Sequence, residues 1–179
     1  CDKHNTDDIK LCMEKLRSLH HMNLQTDHTF DLFGQIMFYE SLRDNTPSVY
    51  PDYEQTRERV FSLREYIDAR EKQWCLAHID AVYDNFLFYD GDDGSRQLQL
   101  TDWEYAGMQD PHLDIAMFAV YALYNKQQTD WLADLYFEGR CEETVRVKIY
   151  CYMAACGLLW SNWCEYKRTL GVEFGEYSL

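Results

Sequence analysis

Leu76-Ala77-His78-Ile79-Asp80-Ala81-Val82-Tyr83-Asp84-Asn85-Phe86-Leu87-Phe88 and, after a short break, Leu98-Gln99-Leu100-Thr101-Asp102-Trp103-Glu104-Tyr105-Ala106-Gly107 are two apolar runs that carry polar residues at fixed offsets. Both runs read as short strands, and Gly91-Asp92-Asp93-Gly94 between them reads as the turn that folds one back on the other. A hairpin of this kind brings the polar residues of both runs to one place.

The spacing of His78, Asp80 and Asn85 is that of a phosphotransferase catalytic loop, in which the Asp accepts the proton of an attacking hydroxyl and the Asn holds magnesium. Asp102 stands where a second metal carboxylate is expected. Phosphoryl transfer needs little covalent help from a protein: one base beside the nucleophile, and hard oxygen ligands that fix magnesium against the triphosphate. His78, two residues before the base, suits a hydrogen bond that holds the loop backbone and is grouped with Asp80 as a catalytic-loop residue. The same types would also cap a surface turn. Asn85 at its offset and Asp102-x-Glu104 downstream of a strand favour the chemical reading.

The string His78 to Asn85, then Asp102-Trp103-Glu104-Tyr105-Ala106-Gly107, then Asp110-Pro111-His112-Leu113-Asp114-Ile115-Ala116, resembles the choline/ethanolamine kinase and aminoglycoside phosphotransferase group, which shares the protein kinase-like fold. The Asp-Trp-Glu-Tyr-Ala form is most similar to choline and ethanolamine kinases, the bacterial choline kinase-like proteins in particular. The resemblance implies Asp80 as catalytic base, Asn85 and Asp102 as magnesium ligands and Asp114 as a buried supporting carboxylate. It also implies ATP as co-substrate and a small cationic amino alcohol such as choline as acceptor. Glu104 is assigned to substrate binding.

A chain of 179 residues, 46% of them hydrophobic, is expected to bury one core as a single unit. Kinase-like enzymes also need a Gly-rich loop over the phosphates and a strand lysine. The eight glycines never form Gly-x-Gly-x-x-Gly, and no Val-Ala-x-Lys occurs. Residues 1–179 are therefore expected to form one C-terminal lobe, mainly α with a small β-hairpin, with the N-terminal ATP-binding lobe absent and little activity alone. A formal charge of −14 argues against nucleic acid as a partner and suits a cationic substrate. Seven cysteines without a Cys-x-x-Cys pair read as reduced thiols of a cytoplasmic protein. The longest apolar run, Ile149 to Trp160, is too short to span a bilayer, so no membrane partner is expected.

Asn5-Thr6-Asp7-Asp8 starts a first helix, whose stripe is Ile9, Cys12, Met13, Leu16, Leu19 and His20. Its Leu16-Arg17-Ser18-Leu19-His20 matches the helix that opens the C-terminal lobe in the resembling family. A second helix carries Phe30, Phe33, Ile36 and Met37. A third runs from Asp52 to about Lys72, with Tyr53, Val60, Leu63 and Ile67 inward. Asp110-Pro111 starts a fourth, with Ile115, Phe118, Ala119, Ala122 and Leu123 as its buried stripe. Gln127 to Phe137 ends at Gly139, and Glu142 to about Arg168 is the last helix.

On that last helix Met153, Cys156, Trp160 and Trp163 share a face. With Tyr121 and Tyr124 of the fourth helix they are candidates for an aromatic box around a quaternary ammonium, or else for plain core. In choline kinases a Trp before a Ser late in the chain lines such a box, and Trp160-Ser161 is similar to it; a second family Trp is replaced here by Gly157. Two other classes stay open. One is a metal-dependent hydrolase with His78, Asp80 and Asp102 as ligands. The other is a non-catalytic fragment or pseudokinase that binds a partner.

Overall fold

The computed structural model describes residues 1–43 and 46–172. In chain order the elements are α1 (Thr6–His21), α2 (Leu32–Leu42), α3 (Tyr53–Asp68), β1 (Cys75–Ala77), β2 (Phe86–Asp90), β3 (Arg96–Leu100), β4 (Gly107–Gln109), α4 (His112–Tyr121), α5 (Lys126–Tyr136) and α6 (Glu143–Thr169). A single 3₁₀ turn, Tyr83–Asn85, precedes β2. The chain is thus mainly α, as expected, and groups into two compact units: Cys1–Phe30 with Lys72–Met153, and Asp31–Glu71 with the residues from Ala154 on.

The first unit holds both strand pairs. β2 and β3 form the expected antiparallel hairpin, with Phe86 opposite Leu100 and Asp90 opposite Arg96. Its turn closes through Gly91 N–H to Ser95 O at 2.8 Å, and Gly94 takes the left-handed φ of +74° that glycine allows without strain. A second antiparallel pair, β1 with β4, sets Ala77 opposite Gly107. A Cβ at Gly107 would stand 2.8 Å from His28 Cδ2 and 3.2 Å from Phe30 N, so the strand needs glycine there.

α1 begins as its residues dictate: the Asn5 side chain accepts from the N–H groups of Asp7 and Asp8, and the acids of the first turn face the positive end of the helix dipole. Every member of its expected stripe, Ile9 to His20, is buried. α4 ends earlier than its apolar spacing suggests. Leu123 takes φ +58° after the last turn and is 59% exposed, so it leaves the buried stripe that Ile115, Phe118 and Ala119 keep. α5 opens with a reciprocal capping box of Asn125 and Gln128 and is followed by Gly139 at φ +73°. Phe86 and Phe118, both fully buried with ring centroids 5.8 Å apart, lock the hairpin onto α4.

In the second unit α2 starts at Leu32 behind an Asp31 N-cap, two residues after the Phe30 of its expected stripe, and Met37 is exposed. α3 ends at Asp68 rather than near Lys72, and buries Tyr53, Val60 and Ile67 while Leu63 is half-buried. Polar contacts of this core are mutual. Arg43 pairs with Glu165, whose other oxygen accepts from Ser48 Oγ at 2.7 Å and Val49 N–H at 2.8 Å. Arg57 pairs with Glu40 at 2.6 Å, and the Tyr53 hydroxyl lies 2.6 Å from Glu40. Buried charges kept this way retain the partners their desolvation requires.

Candidate active site

β1 delivers the chain to His78 and β2 takes it up again at Phe86, so residues 78–85 form a loop pinned at both ends by strand pairing. Asp114, in the first turn of α4 and fully buried, holds its beginning: Oδ2 accepts from His78 N–H at 2.8 Å and Oδ1 from Ile79 N–H at 2.7 Å. Ile79 has φ +73°, a left-handed conformation that a β-branched residue avoids and that costs on the order of 1–3 kcal/mol. Two charge-assisted bonds to consecutive amides over-determine that turn. Asp114 is fixed in its own right, with His20 Nε2 2.9 Å from Oδ2 and Tyr136 Oη 2.8 Å from His20 Nδ1.

The His78 ring is fully buried, bonds Thr101 O through Nε2 at 2.8 Å and meets the Trp103 ring edge-on at 4.7 Å. It therefore ties the loop to the residues on either side of Asp102, its bond going to Thr101 O rather than to the backbone of the loop itself.

Asp80 and Asn85 come together across the loop. Asn85 Nδ2 donates to Asp80 O at 2.9 Å and to Asp80 Oδ2 at 3.1 Å, which directs the amide oxygen to other partners. Thr101 N–H in turn donates to Asn85 O at 3.0 Å, so the hairpin register carries Asp102 to the same end as Asn85. Asp102 takes φ +63°, tolerated by a short polar side chain, and its carboxylate is exposed. Burial raises the Asp80 carboxyl above the ordinary Asp range; the Asn85 hydrogen bond and His78 oppose the rise, and the charges of Asp102 and Glu104 add to it. A half-buried carboxylate of raised basicity beside exposed carboxylates can take a proton and can face a cation or a hydrated metal.

The remaining candidates are placed as follows. Tyr121 donates to Asp84 Oδ2 at 2.9 Å and packs on Tyr83 at 5.0 Å, on the 3₁₀ turn of the loop. Tyr124 instead donates to Lys3 O at 2.7 Å. Trp160 and Trp163, in the second unit, stack with centroids 4.9 Å apart and an interplanar angle of 18°, with Lys167 Nζ 5.3 Å from the Trp163 ring. Glu104 is exposed.

Two supports escaped the sequence reading. His20 was legible as a member of the α1 stripe and as the end of the Leu16–His20 family match, not as the partner of Asp114. Asp110, buried at the end of β4, accepts from Lys148 Nζ at 2.7 Å and Tyr152 Oη at 3.2 Å, while its other oxygen accepts from His112 N–H at 3.2 Å. The start of α4, and with it Asp114, is thereby anchored to α6. In the sequence Asp110 showed only as an Asp-Pro before a helix and as part of the string Asp110 to Ala116, with no sign of its tie to Lys148 and Tyr152.

Among the described residues no group of three or more His, Cys, Asp or Glu is placed to hold a metal ion. His78, Asp80 and Asp102 are thus not grouped as a hydrolase-type centre among these residues, and His78 Nε2 bonds Thr101 O instead. Nor is any helix among these residues long and apolar enough to cross a membrane.

The chain is similar to several known proteins over most of its length. The choline/ethanolamine kinase family profile matches residues 3–138. Protein LicA of Haemophilus influenzae is 26% identical over 93% of this chain and 63% of its own length. The crystal structure of choline kinase LicA from Streptococcus pneumoniae superposes with a TM-score of 0.78 at 28% identity, over 96% of this chain and 59% of that one. A structure of LicA in complex with AMP gives a TM-score of 0.77 at 28% identity, over 94% and 57%. The chain thus spans about three-fifths of the length of these relatives. With the loop, its buried aspartate and the downstream Asp-Trp-Glu all within the matched residues, the chain belongs to the choline/ethanolamine kinase family, on the protein kinase-like fold.

Proposed function

We propose that this chain is the catalytic-loop and substrate-binding lobe of an ATP-dependent phosphotransferase that phosphorylates the hydroxyl of choline or a similar small amino alcohol. The observation that carries the reading is the Asp114-held loop, which sets Asp80 against Asn85 and beside the Asp102 end of the hairpin. Asp80 accepts the hydroxyl proton as the alcohol oxygen attacks the γ-phosphorus and ADP departs; its raised proton affinity matches that role. The Asn85 amide oxygen and the Asp102 carboxylate are hard donors that the described hydrogen bonds leave uncommitted, and they fit magnesium, which takes few protein oxygens and keeps its waters. When bound, that ion neutralises charge on the triphosphate oxygens.

Asp80, Asp102 and Glu104 favour a cationic acceptor over a neutral one. Trp160 and Trp163 present aromatic surface of the kind that holds a quaternary ammonium. The groups that cradle the triphosphate have no counterpart in this chain, and its share of the relatives' length leaves room for them in a further N-terminal lobe. The AMP held by LicA supports nucleotide use, and ATP as co-substrate is consistent with a cytoplasmic place.

The test is phosphoryl transfer by the full-length gene product from γ-labelled ATP to choline, ethanolamine and an aminoglycoside. Label on choline or ethanolamine supports the proposal. Release of inorganic phosphate alone would favour hydrolysis, and no turnover with any acceptor would favour a binding protein.

A further inference from the structure

A cavity of about 670 Å³ opens in the first unit at the C-terminal ends of α1 and α5, and Asp80, Asn85 and Asp102 are not among its lining residues. The volume is that of small-molecule sites. Its charge runs against the rest of the chain: of 31 acidic residues only Glu138 lines it, whereas two arginines and three of the six histidines do. Glu138 is shared between those arginines, 3.3 Å from Arg17 Nη1 and 2.9 Å from Arg140 Nη2, so the wall carries one guanidinium charge in excess.

That charge is held in place. Arg17 Nη1 also donates to Leu135 O and Tyr136 O, the last carbonyls of α5, at 3.5 and 3.3 Å. Its remaining donors, and those of Arg140, keep the fork geometry that matches a carboxylate or phosphate. The Arg140 side chain is 80% exposed. Flat apolar surface lies next to the charge: Trp74, 45% exposed, and Phe137 both line the cavity. His112, also on the wall, is held neutral by burial, its pKa lowered to about 4, so it adds no charge beside the arginines near neutral pH.

We infer that this cavity is a second ligand site, taking a small molecule that carries an aromatic ring and a carboxylate or phosphate, with the ring on Trp74 and the anion on Arg17 and Arg140. One of its walls, His20, is the partner of Asp114 and so adjoins the support of the 78–80 loop.

The probes are phenyl phosphate, benzoate and phenyltrimethylammonium, titrated into the protein while the indole N–H resonance of Trp74 is followed by NMR. The two anions should shift it saturably and the cation should not. Arg140→Ala should weaken the anions about tenfold, the loss of one charge-assisted hydrogen bond, and Trp74→Leu, titrated by calorimetry because it removes the reporting indole, should weaken them too. Both side chains are at the surface, and melting curves of the variants check that each still folds. No saturation at millimolar probe, equal binding of the cation, or affinities indifferent to Arg140→Ala would each overturn the proposal.

Discussion

Asp114→Asn isolates the device that shapes the catalytic loop. The carboxylate makes three buried contacts, to His78 N–H at 2.8 Å, Ile79 N–H at 2.7 Å and His20 Nε2 at 2.9 Å. An amide keeps the size but loses the charge and presents NH₂ where one oxygen accepted, so one loop amide loses its acceptor and the other keeps a weaker one. A hydrogen bond to a charged group is worth about 1.5–3 kcal/mol, and a stranded buried amide costs about 1–3 kcal/mol. The two figures describe the same loss, so about 1.5–3 kcal/mol is expected. Ile79 at φ +73° also stores strain that relaxes when its N–H is released, so the opening should be local rather than global. Amide hydrogen exchange at His78 and Ile79 should therefore speed up by about tenfold to 150-fold. Amides in the middle of α1 should change far less. Unchanged exchange at both positions would refute the argument that Asp114 sets the loop, and a uniform acceleration across the first unit would mean that it supports the whole fold instead.

Asp80→Asn should not lower the melting temperature at pH 7. An acid whose folded pKa is raised contributes stability that is complete below its unfolded value, about 3.9, and is lost as pH rises through the folded value; the variant's relative advantage should therefore vanish in melts below about pH 4. In the full-length protein Asn85→Ala or Asp102→Ala should raise the magnesium concentration giving half-maximal rate, read from rate against free magnesium at fixed ATP; an unchanged requirement removes that residue from the metal site. Trp160→Leu should lower kcat/KM for choline by several-fold to about thirtyfold while sparing ethanolamine, as loss of a cation-π contact worth about 0.5–2 kcal/mol implies. A lower melting temperature with an unchanged choline-to-ethanolamine ratio would make Trp160 core packing.

What the residues disclose in advance is local. Asn5 before an apolar period of 3.6 announces α1 because an Asx side chain and a first-turn acid satisfy a helix start wherever the chain goes afterwards. Gly91 to Gly94 announces the hairpin for the same reason, and the hairpin in turn brings Asn85 and Asp102 to one end. What stays hidden depends on partners far along the chain. Ile79 has no intrinsic leaning to positive φ; Asp114, 35 residues on, imposes it. His20 looks like one more stripe residue until Asp114 lies 94 positions away in sequence and 2.9 Å away in space. Lys148 meets Asp110 across 38 residues with no motif to link them. β4 is three residues long and buried throughout, so it shows no alternation to read. Leu123 misleads in the opposite sense, since its spacing is helical but α4 has already ended. The grouping of α2, α3 and the later part of α6 into a unit of their own leaves no composition shift or linker in the sequence.

In the proposed reaction Asp80 takes a proton from the acceptor hydroxyl during phosphoryl transfer. Its most direct measurement is steady-state kinetics of Asp80→Asn in the full-length protein with ATP, magnesium and the preferred amino alcohol. A kcat lower by orders of magnitude with KM for ATP little changed is expected, since the base acts in the transition state rather than in nucleotide binding. A kcat near that of the unaltered protein would contradict it.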